Sequence, residues 1–340
     1  MGVILVTGGM GFIGSNFTRF LLELNQDFRV VNVDKLTYAG NPENLKNFEK
    51  KYHKYYVFHK ADICDFETVN RIIEKEDVKY IVNFAAESHV DRSIHNPNIF
   101  CNTNILGTQS LLNAAKKNSI SKFIQISTDE VYGSLDFEAP AFNESTLLSP
   151  NSPYSASKAS ADLLVNAYYK TFGLPINITR CSNNYGAYQF PEKFIPLMIN
   201  NTINGKELPV YGKGINVRDW VFVLDHCKAI LKVLLKGKIG EIYNIGGDSE
   251  IKNIELVKMI LKILDKPESL ITFVKDRPGH DLRYAINHEK ITRELGWKPE
   301  FLFEKGLKVT VDWYLNNNEW LNNIINKDYL TFYEKQYKNR

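Results

Sequence analysis

Short apolar runs alternate with longer amphipathic stretches over the first half of the chain. Val3 to Thr7, Arg29 to Asp34, Tyr55 to Lys60, Tyr80 to Ala85, Lys122 to Ser127 and Pro175 to Arg180 read as strands. Between them, Ser15 to Leu24, Phe66 to Lys75, Asn102 to Lys117 and Pro153 to Phe172 carry apolar residues at helical spacing. Such alternation predicts an α/β fold in which a parallel sheet is wrapped by helices on both faces and binds ligands beyond the carboxyl ends of its strands.

After about Gly186 the elements become shorter and mixed, with turn signals at Asn204-Gly205, Gly212-Lys213-Gly214, Gly246-Gly247 and Arg277-Pro278-Gly279. Residues 1–186 are therefore expected to form one domain and residues 187–340 a smaller α/β substrate lobe, part of which returns to the first domain. The tail from Lys327 is charged and aromatic and carries no assignment.

Composition narrows the classes. With 44% hydrophobic and 24% charged residues in 340, the chain reads as a soluble globular enzyme. A net charge of +3 with dispersed basic residues argues against a nucleic-acid surface. The four cysteines Cys64, Cys101, Cys181 and Cys227 are far apart, so no disulfide framework or zinc knuckle is indicated, no metal is expected, and a reducing cytoplasm fits. No apolar run approaches ~18 residues and no basic leader precedes the first strand, so neither a membrane span nor a signal peptide is expected.

Gly8-Gly9-Met10-Gly11-Phe12-Ile13-Gly14 follows the first strand and opens the first helix. Gly8, Gly11 and Gly14 let backbone approach a pyrophosphate, whose charge is favoured at a helix N-terminus. This context makes the first domain a Rossmann-type, doubly wound dinucleotide-binding sheet. Asp34, at the end of the second strand, suits a ribose diol and repels a 2′-phosphate, favouring NAD over NADP, although the cation of Lys35 beside it pulls the other way. Asp62-Ile63 is placed either to flank the adenine or, through Asp62, to cap the helix at Phe66.

Tyr-x-x-x-Lys occurs twice. Tyr56 and Lys60 lie in a strand-like run, where four residues span roughly 13 Å and the side chains cannot meet. Tyr154 and Lys158 follow Ser152-Pro153, an N-cap and first helical residue, and share a helix face. A phenol of pKa ~10 is a poor base at neutral pH, and an ammonium nearby favours its phenolate. The run Ser127-Thr128-Asp129-Glu130-Val131-Tyr132-Gly133 adds a hydroxyl and an acid pair at the end of the fifth strand. Hydride transfer alone needs no acid pair; proton removal with water loss does.

Together these motifs resemble the extended short-chain dehydrogenase/reductase superfamily acting on nucleotide sugars. Within it, Asp34-Lys35-Leu36-Thr37-Tyr38-Ala39-Gly40-Asn41, Ala85-Ala86-Glu87-Ser88-His89-Val90-Asp91-Arg92-Ser93, Thr128-Asp129-Glu130 and Asp276-Arg277-Pro278-Gly279-His280-Asp281 resemble the dTDP-glucose 4,6-dehydratase family, over a match running to about Trp313. The resemblance implies NAD as cofactor, a nucleotide-diphosphate-sugar as substrate, and a homodimer packed through Asn102 to Lys117 and Pro153 to Phe172.

It also implies roles. Tyr154, with Thr128 and Lys158, would oxidise C4 of the hexose; Glu130 would take the C5 proton while Asp129 protonates the departing C6 hydroxyl. Phe12, Ile13, Leu36, Thr37, Ala85, Ala86, Ser88, Thr103 and Asn184 fall on the cofactor side, with Ser88 also facing substrate. Asn183, Lys193, Phe194, Pro209, Tyr211, Arg218, Asn253, Arg277 and His280 line the nucleotide sugar, and Arg218 and Arg277 are suited to bidentate diphosphate contacts. His89 is expected to pack or to touch the cofactor. Other readings are a UDP-glucose 4,6-dehydratase, a nucleotide-sugar 4-epimerase, which does not need the acid pair, and a non-catalytic dinucleotide-binding regulator.

Overall fold

The computed structural model describes residues 2–24, 28–325, 333, 334 and 336. Its strands are β1 (Gly2–Thr7), β2 (Phe28–Asp34), β3 (Tyr56–Lys60), β4 (Tyr80–Asn83), β5 (Lys122–Thr128), β6 (Ile176–Cys181), β7 (Asn183–Tyr185), β8 (Leu208–Tyr211), β9 (Val217–Phe222), β10 (Ile242–Ile245), β11 (Glu250–Lys252) and β12 (Ile271–Val274). Seven of them form one sheet in the order β10-β6-β5-β4-β1-β2-β3, every pairing parallel.

Side-chain alternation in the strands builds two cores. Ile4, Val6, Val82, Ile124 and Ile126 face Phe17 and Leu21 of the helix Phe12–Glu23 and Ile230 and Val233 of the helix Val223–Lys236. Leu5, Ile81, Phe123 and Ile178 point the other way, onto Val69 and Ile73, Leu111 and Leu112, and Val165. Those residues belong to the helices Phe66–Lys75, Gly107–Lys117 and Pro153–Phe172. A strand buried on both faces reads as a continuous apolar run, the pattern seen in the sequence.

Two of the expected helices, Phe66–Lys75 and Pro153–Phe172, have the expected bounds. The stretch expected to begin at Asn102 begins at Pro97 and passes through a π-helical turn, Cys101–Leu106, before the regular helix starts at Gly107. Pro97 sets the start, because its fixed φ and missing N–H suit a first helical turn. Asn102 to Leu106 is thus wider than an α-helix.

The later part of the chain contributes in two places. β10 adds to the edge of the large sheet beside β6, and the helix Val223–Lys236 covers one sheet face. Ile291, Leu295 and Trp297 join that same face, and most of the remainder forms its own core around Leu197, Met198, Trp220, Leu256, Leu307, Tyr314 and Trp320, served by the small sheets β11-β9-β7 and β12-β8. Within the large sheet the order reverses between β1 and β4, which opens a crevice at their carboxyl ends.

Candidate active site

Close backbone packing makes the glycine turn after β1 obligatory. Gly8 has φ +68°, and a Cβ there would lie 2.7 Å from the Ala85 nitrogen; one on Gly14 would lie 2.4 Å from the Gly8 carbonyl oxygen. Gly11 caps the helix Phe12–Glu23 without a side chain, so the first-turn N–H groups are left to the crevice. That crevice, a groove of about 280 Å³, is lined by every cofactor-side residue expected from the sequence except Leu36. Leu36 contributes backbone instead: from a left-handed conformation, φ 59°, its N–H donates to Asp34 Oδ1 at 2.7 Å.

Asp34 Oδ2 also accepts from the Met10 N–H at 2.9 Å, which fixes the carboxylate at the end of β2. Lys35 is not free to counter it, because its ammonium pairs with Asp62 Oδ2 at 2.6 Å. Asp62 does not cap the following helix; Asp65 does, accepting from the Thr68 N–H at 3.1 Å. A narrow glycine cradle, uncapped helix N–H groups and an oriented carboxylate with its neighbouring cation neutralised fit a dinucleotide carrying a free ribose diol.

Tyr56 and Lys60 are strand residues of β3, and the Tyr56 hydroxyl accepts from Asn32 Nδ2. Tyr154 and Lys158 sit one turn apart on Pro153–Phe172, which starts at a capping box between Ser152 and Ser155. Both are buried. Lys158 Nζ donates to the Ile126 carbonyl oxygen at 2.6 Å. Burial pushes the Tyr154 phenol well above 10, Glu130 and Cys181 add to the rise, and a hydrogen bond from Thr128 opposes it. Burial lowers the Lys158 ammonium, with Asp162 pulling it back up.

Asp129 and Glu130 do not lie on the strand. β5 ends at Thr128, whose Oγ1 accepts from the Glu130 N–H at 3.3 Å and caps a 3₁₀ turn, Asp129–Tyr132. The turn, rather than strand alternation, sends the two carboxyls apart. Burial, Glu130 and Asp219 raise Asp129 well above the carboxylate range, and its Oδ2 is buried without a hydrogen-bond partner. Burial raises Glu130 too, but Arg277, Lys193 and Arg218 pull it down. Both carboxyls are thus raised, Asp129 with anions adding to burial against Arg218, and Glu130 with three cations opposing burial and one anion, Asp281, adding to it.

A second cavity of about 160 Å³ joins the groove through Glu130, Asn183, Asn184 and Lys193, which line both. Phe194, Tyr211, Arg218, Asn253, Arg277 and His280 line it as expected; Pro209 does not, being buried within β8. Lys193 Nζ donates to the Ser88 carbonyl oxygen at 2.6 Å. Arg218 spends two donors on the carbonyl oxygens of Val217 and Asp281 and lies over the Tyr284 ring. Arg277 keeps a buried Nε without a hydrogen-bond partner. Gly279, at φ +63°, turns the chain so that His280 Nδ1 meets Asp276 Oδ1 at 2.6 Å. His89 lines this second cavity.

Sequence reading missed two buried acids on the groove wall, Glu87 and Glu192, the latter paired with Arg92 at 2.9 Å. Glu87 stands inside a run already singled out, and Glu192 precedes Lys193; neither has a spacing that sets it apart from a solvated carboxylate. Among the described residues no cluster of His, Cys, Asp or Glu is arranged for a metal, and no helix is long and apolar enough to cross a membrane.

A family model described as GDP-mannose 4,6 dehydratase matches residues 5–310. The dTDP-glucose 4,6-dehydratase 1 of Escherichia coli K12 is 51% identical, with 99% of each chain covered. Among solved structures, DesIV, a dTDP-glucose 4,6-dehydratase of Streptomyces venezuelae with NAD and TYD bound, superposes with a TM-score of 0.91 at 47% identity, covering 95% of this chain and 99% of that one. The Bacillus anthracis dTDP-glucose 4,6-dehydratase in complex with NAD gives 0.89 at 50% identity, covering 95% and 100%.

Proposed function

The chain belongs to the dTDP-glucose 4,6-dehydratase family, and from that premise we propose how its residues divide the work of an NAD-dependent conversion of dTDP-glucose to dTDP-4-keto-6-deoxyglucose. Residues 1–186 supply most of the dinucleotide groove and residues 187–340 most of the nucleotide-sugar cavity, with Lys193 crossing to the first and Asp91, Glu130 and Asn183 to the second. A dinucleotide held in the groove between the glycine turn and Lys158 would supply the hydride acceptor for C4 and the hydride donor for C6. Tyr154 takes the proton of the C4 hydroxyl while Thr128 hydrogen-bonds the same oxygen. Lys158 holds the nicotinamide ribose and adds a positive charge to the site.

Once C4 is a ketone, the C5 proton is acidic. Glu130 removes it and Asp129 protonates the C6 hydroxyl as it leaves; when hydride returns to C6, Glu130 gives its proton back to C5. The observation that carries this reading is the unequal surroundings of the two acids: burial, Glu130 and Asp219 raise Asp129 well above the carboxylate range, while Arg277, Lys193 and Arg218 oppose the rise that burial gives Glu130. A 4-epimerase needs Thr128, Tyr154 and Lys158 but has no use for such a pair. Arg218 and Arg277 hold the diphosphate, and the second cavity takes the base.

The test is Glu130→Gln in a single turnover. The proposed enzyme still oxidises C4, seen as transient NADH absorbance, but releases no water; an unaffected turnover would overturn the assignment of the base.

The working form is a homodimer in the cytoplasm. Supporting the dimer, Ile99, Leu106 and Leu163 are 41%, 53% and 61% exposed on the neighbouring segments Pro97–Phe100, Cys101–Leu106 and Pro153–Phe172. Supporting the compartment, all four cysteines are unpaired thiols. Sedimentation equilibrium giving only the monomer mass would overturn the dimer.

A further inference from the structure

Gln336 lies close to the end of the chain, yet only 1% of it is exposed. Its Nε2 donates to the Tyr211 hydroxyl at 2.7 Å, across 125 residues of sequence. Three residues earlier, Tyr333 meets the same lobe, its hydroxyl accepting from Asn201 Nδ2 at 3.0 Å. Both side chains turn inward on the lobe that carries β8, which ends at Tyr211.

Tyr211 connects this contact to the second cavity. Its hydroxyl, having accepted from Gln336, donates to Asp91 Oδ2 at 3.1 Å. Its ring stands edge-on to His280, with centroids 5.9 Å apart. Asp91 is buried, its Oδ1 has no hydrogen-bond partner, and it lines the second cavity together with Arg277, whose positive charge it favours. The line Gln336, Tyr211, Asp91, Arg277 thus runs from the tail to a guanidinium that faces the cavity. A phenol hydroxyl has one proton. An amide N–H from Gln336 fills its acceptor side and leaves that proton to Asp91, which fixes the ring and the carboxylate together.

We propose that Gln336 is a positioning residue for the nucleotide-diphosphate end of the substrate, acting through Tyr211 and Asp91 on Arg277. The inference rests on the proposed function, which places the diphosphate at Arg277. It assigns Gln336 a task in binding: at a pH above the acid limb, where Glu130 is already ionised, a shift of Arg277 leaves kcat nearly unchanged.

The experiment compares wild type with Gln336→Ala and Gln336→Met, the latter keeping the packing volume while removing the donor. Steady-state turnover of dTDP-glucose, dTDP affinity by calorimetry, bound NAD and thermal midpoint are measured for each. Loss of one hydrogen bond predicts KM for dTDP-glucose and Kd for dTDP raised about three- to ten-fold in both variants, with kcat within two-fold and NAD content unchanged. Unchanged KM and Kd would overturn the inference, as would a KM rise in Gln336→Ala that Gln336→Met restores, since that reports packing alone. A wild type that binds dTDP but does not turn over dTDP-glucose would count against the proposed function instead, and the dTDP affinities would still decide the role of Gln336.

Discussion

Asp129 and Glu130 are adjacent on one 3₁₀ turn, yet the balance of charge around them differs: Glu130 and Asp219 outnumber Arg218 at Asp129, whereas Arg277, Lys193 and Arg218 outnumber Asp281 at Glu130. One turn thereby sets the proposed proton donor, which lines neither cavity, beside the proposed acceptor, which lines both. The relationship sets a pH window. Asp129 must be protonated, so elimination is lost as pH rises through its raised pKa; Glu130 must be ionised, so elimination is lost as pH falls through its own. Arg277→Met removes a cation that holds Glu130 down and should move the acid limb of the kcat profile to higher pH. An acid limb that stays in place would mean that another group controls it.

Tyr154→Phe should slow the first oxidation about 10²–10⁴-fold, the usual worth of a positioned proton acceptor, with little change in stability because the ring packing against Phe100 survives. Stopped-flow absorbance of NADH formation reads the step directly. Thr128→Val should act on the same step in the same direction, since its hydroxyl bonds the oxygen that Tyr154 deprotonates.

Cofactor choice depends on a pair the sequence left open. Lys35 pairs with Asp62, which leaves Asp34 as the uncompensated charge at the proposed ribose site. Asp62→Asn should release the ammonium and improve binding of NADP relative to NAD by several-fold, still short of a reversal while Asp34 remains. Fluorescence titration with both cofactors tests this, and an unchanged ratio would show that Lys35 has no access to the 2′ position.

His226 is fully buried, bonded through Nδ1 to Asn184 Oδ1 at 2.8 Å, and burial pushes its pKa from 6.5 down to about 3. The folded imidazole is neutral while the unfolded one takes up a proton. As pH falls from about 6.5 toward 3 the unfolded state binds more protons, so stability must fall; from pH 7 to pH 5 this group contributes about 2 kcal/mol of that loss. Urea unfolding at the two pH values should show the loss shrinking by that amount in His226→Gln.

The large sheet was legible because its first six strands are short segments built on apolar, largely β-branched residues, and the Tyr154 helix because Ser152-Pro153 announces its start. β10 escaped notice: Ile242–Ile245 is four residues long and joins the sheet from far along the chain, a contact that local pattern does not encode. The π-helical turn at Cys101–Leu106 was likewise invisible, since it differs from an α-helix in hydrogen bonding and not in composition. The motifs located the site, but the neighbours that set its charges lie far apart in sequence. Asp219 beside Asp129 and Arg277 beside Glu130 are brought in by the fold alone.

The central claim is that water leaves across C5–C6 while the C4 hydride stays within the substrate. The most direct measurement is to incubate the protein and NAD with dTDP-glucose deuterated at C4 and follow the sugar nucleotide by mass spectrometry and NMR. The account predicts a product lighter by one water with the deuterium moved to C6 and no lasting NADH. Unchanged mass, or deuterium lost to the cofactor with NADH accumulating in step with product, would contradict it.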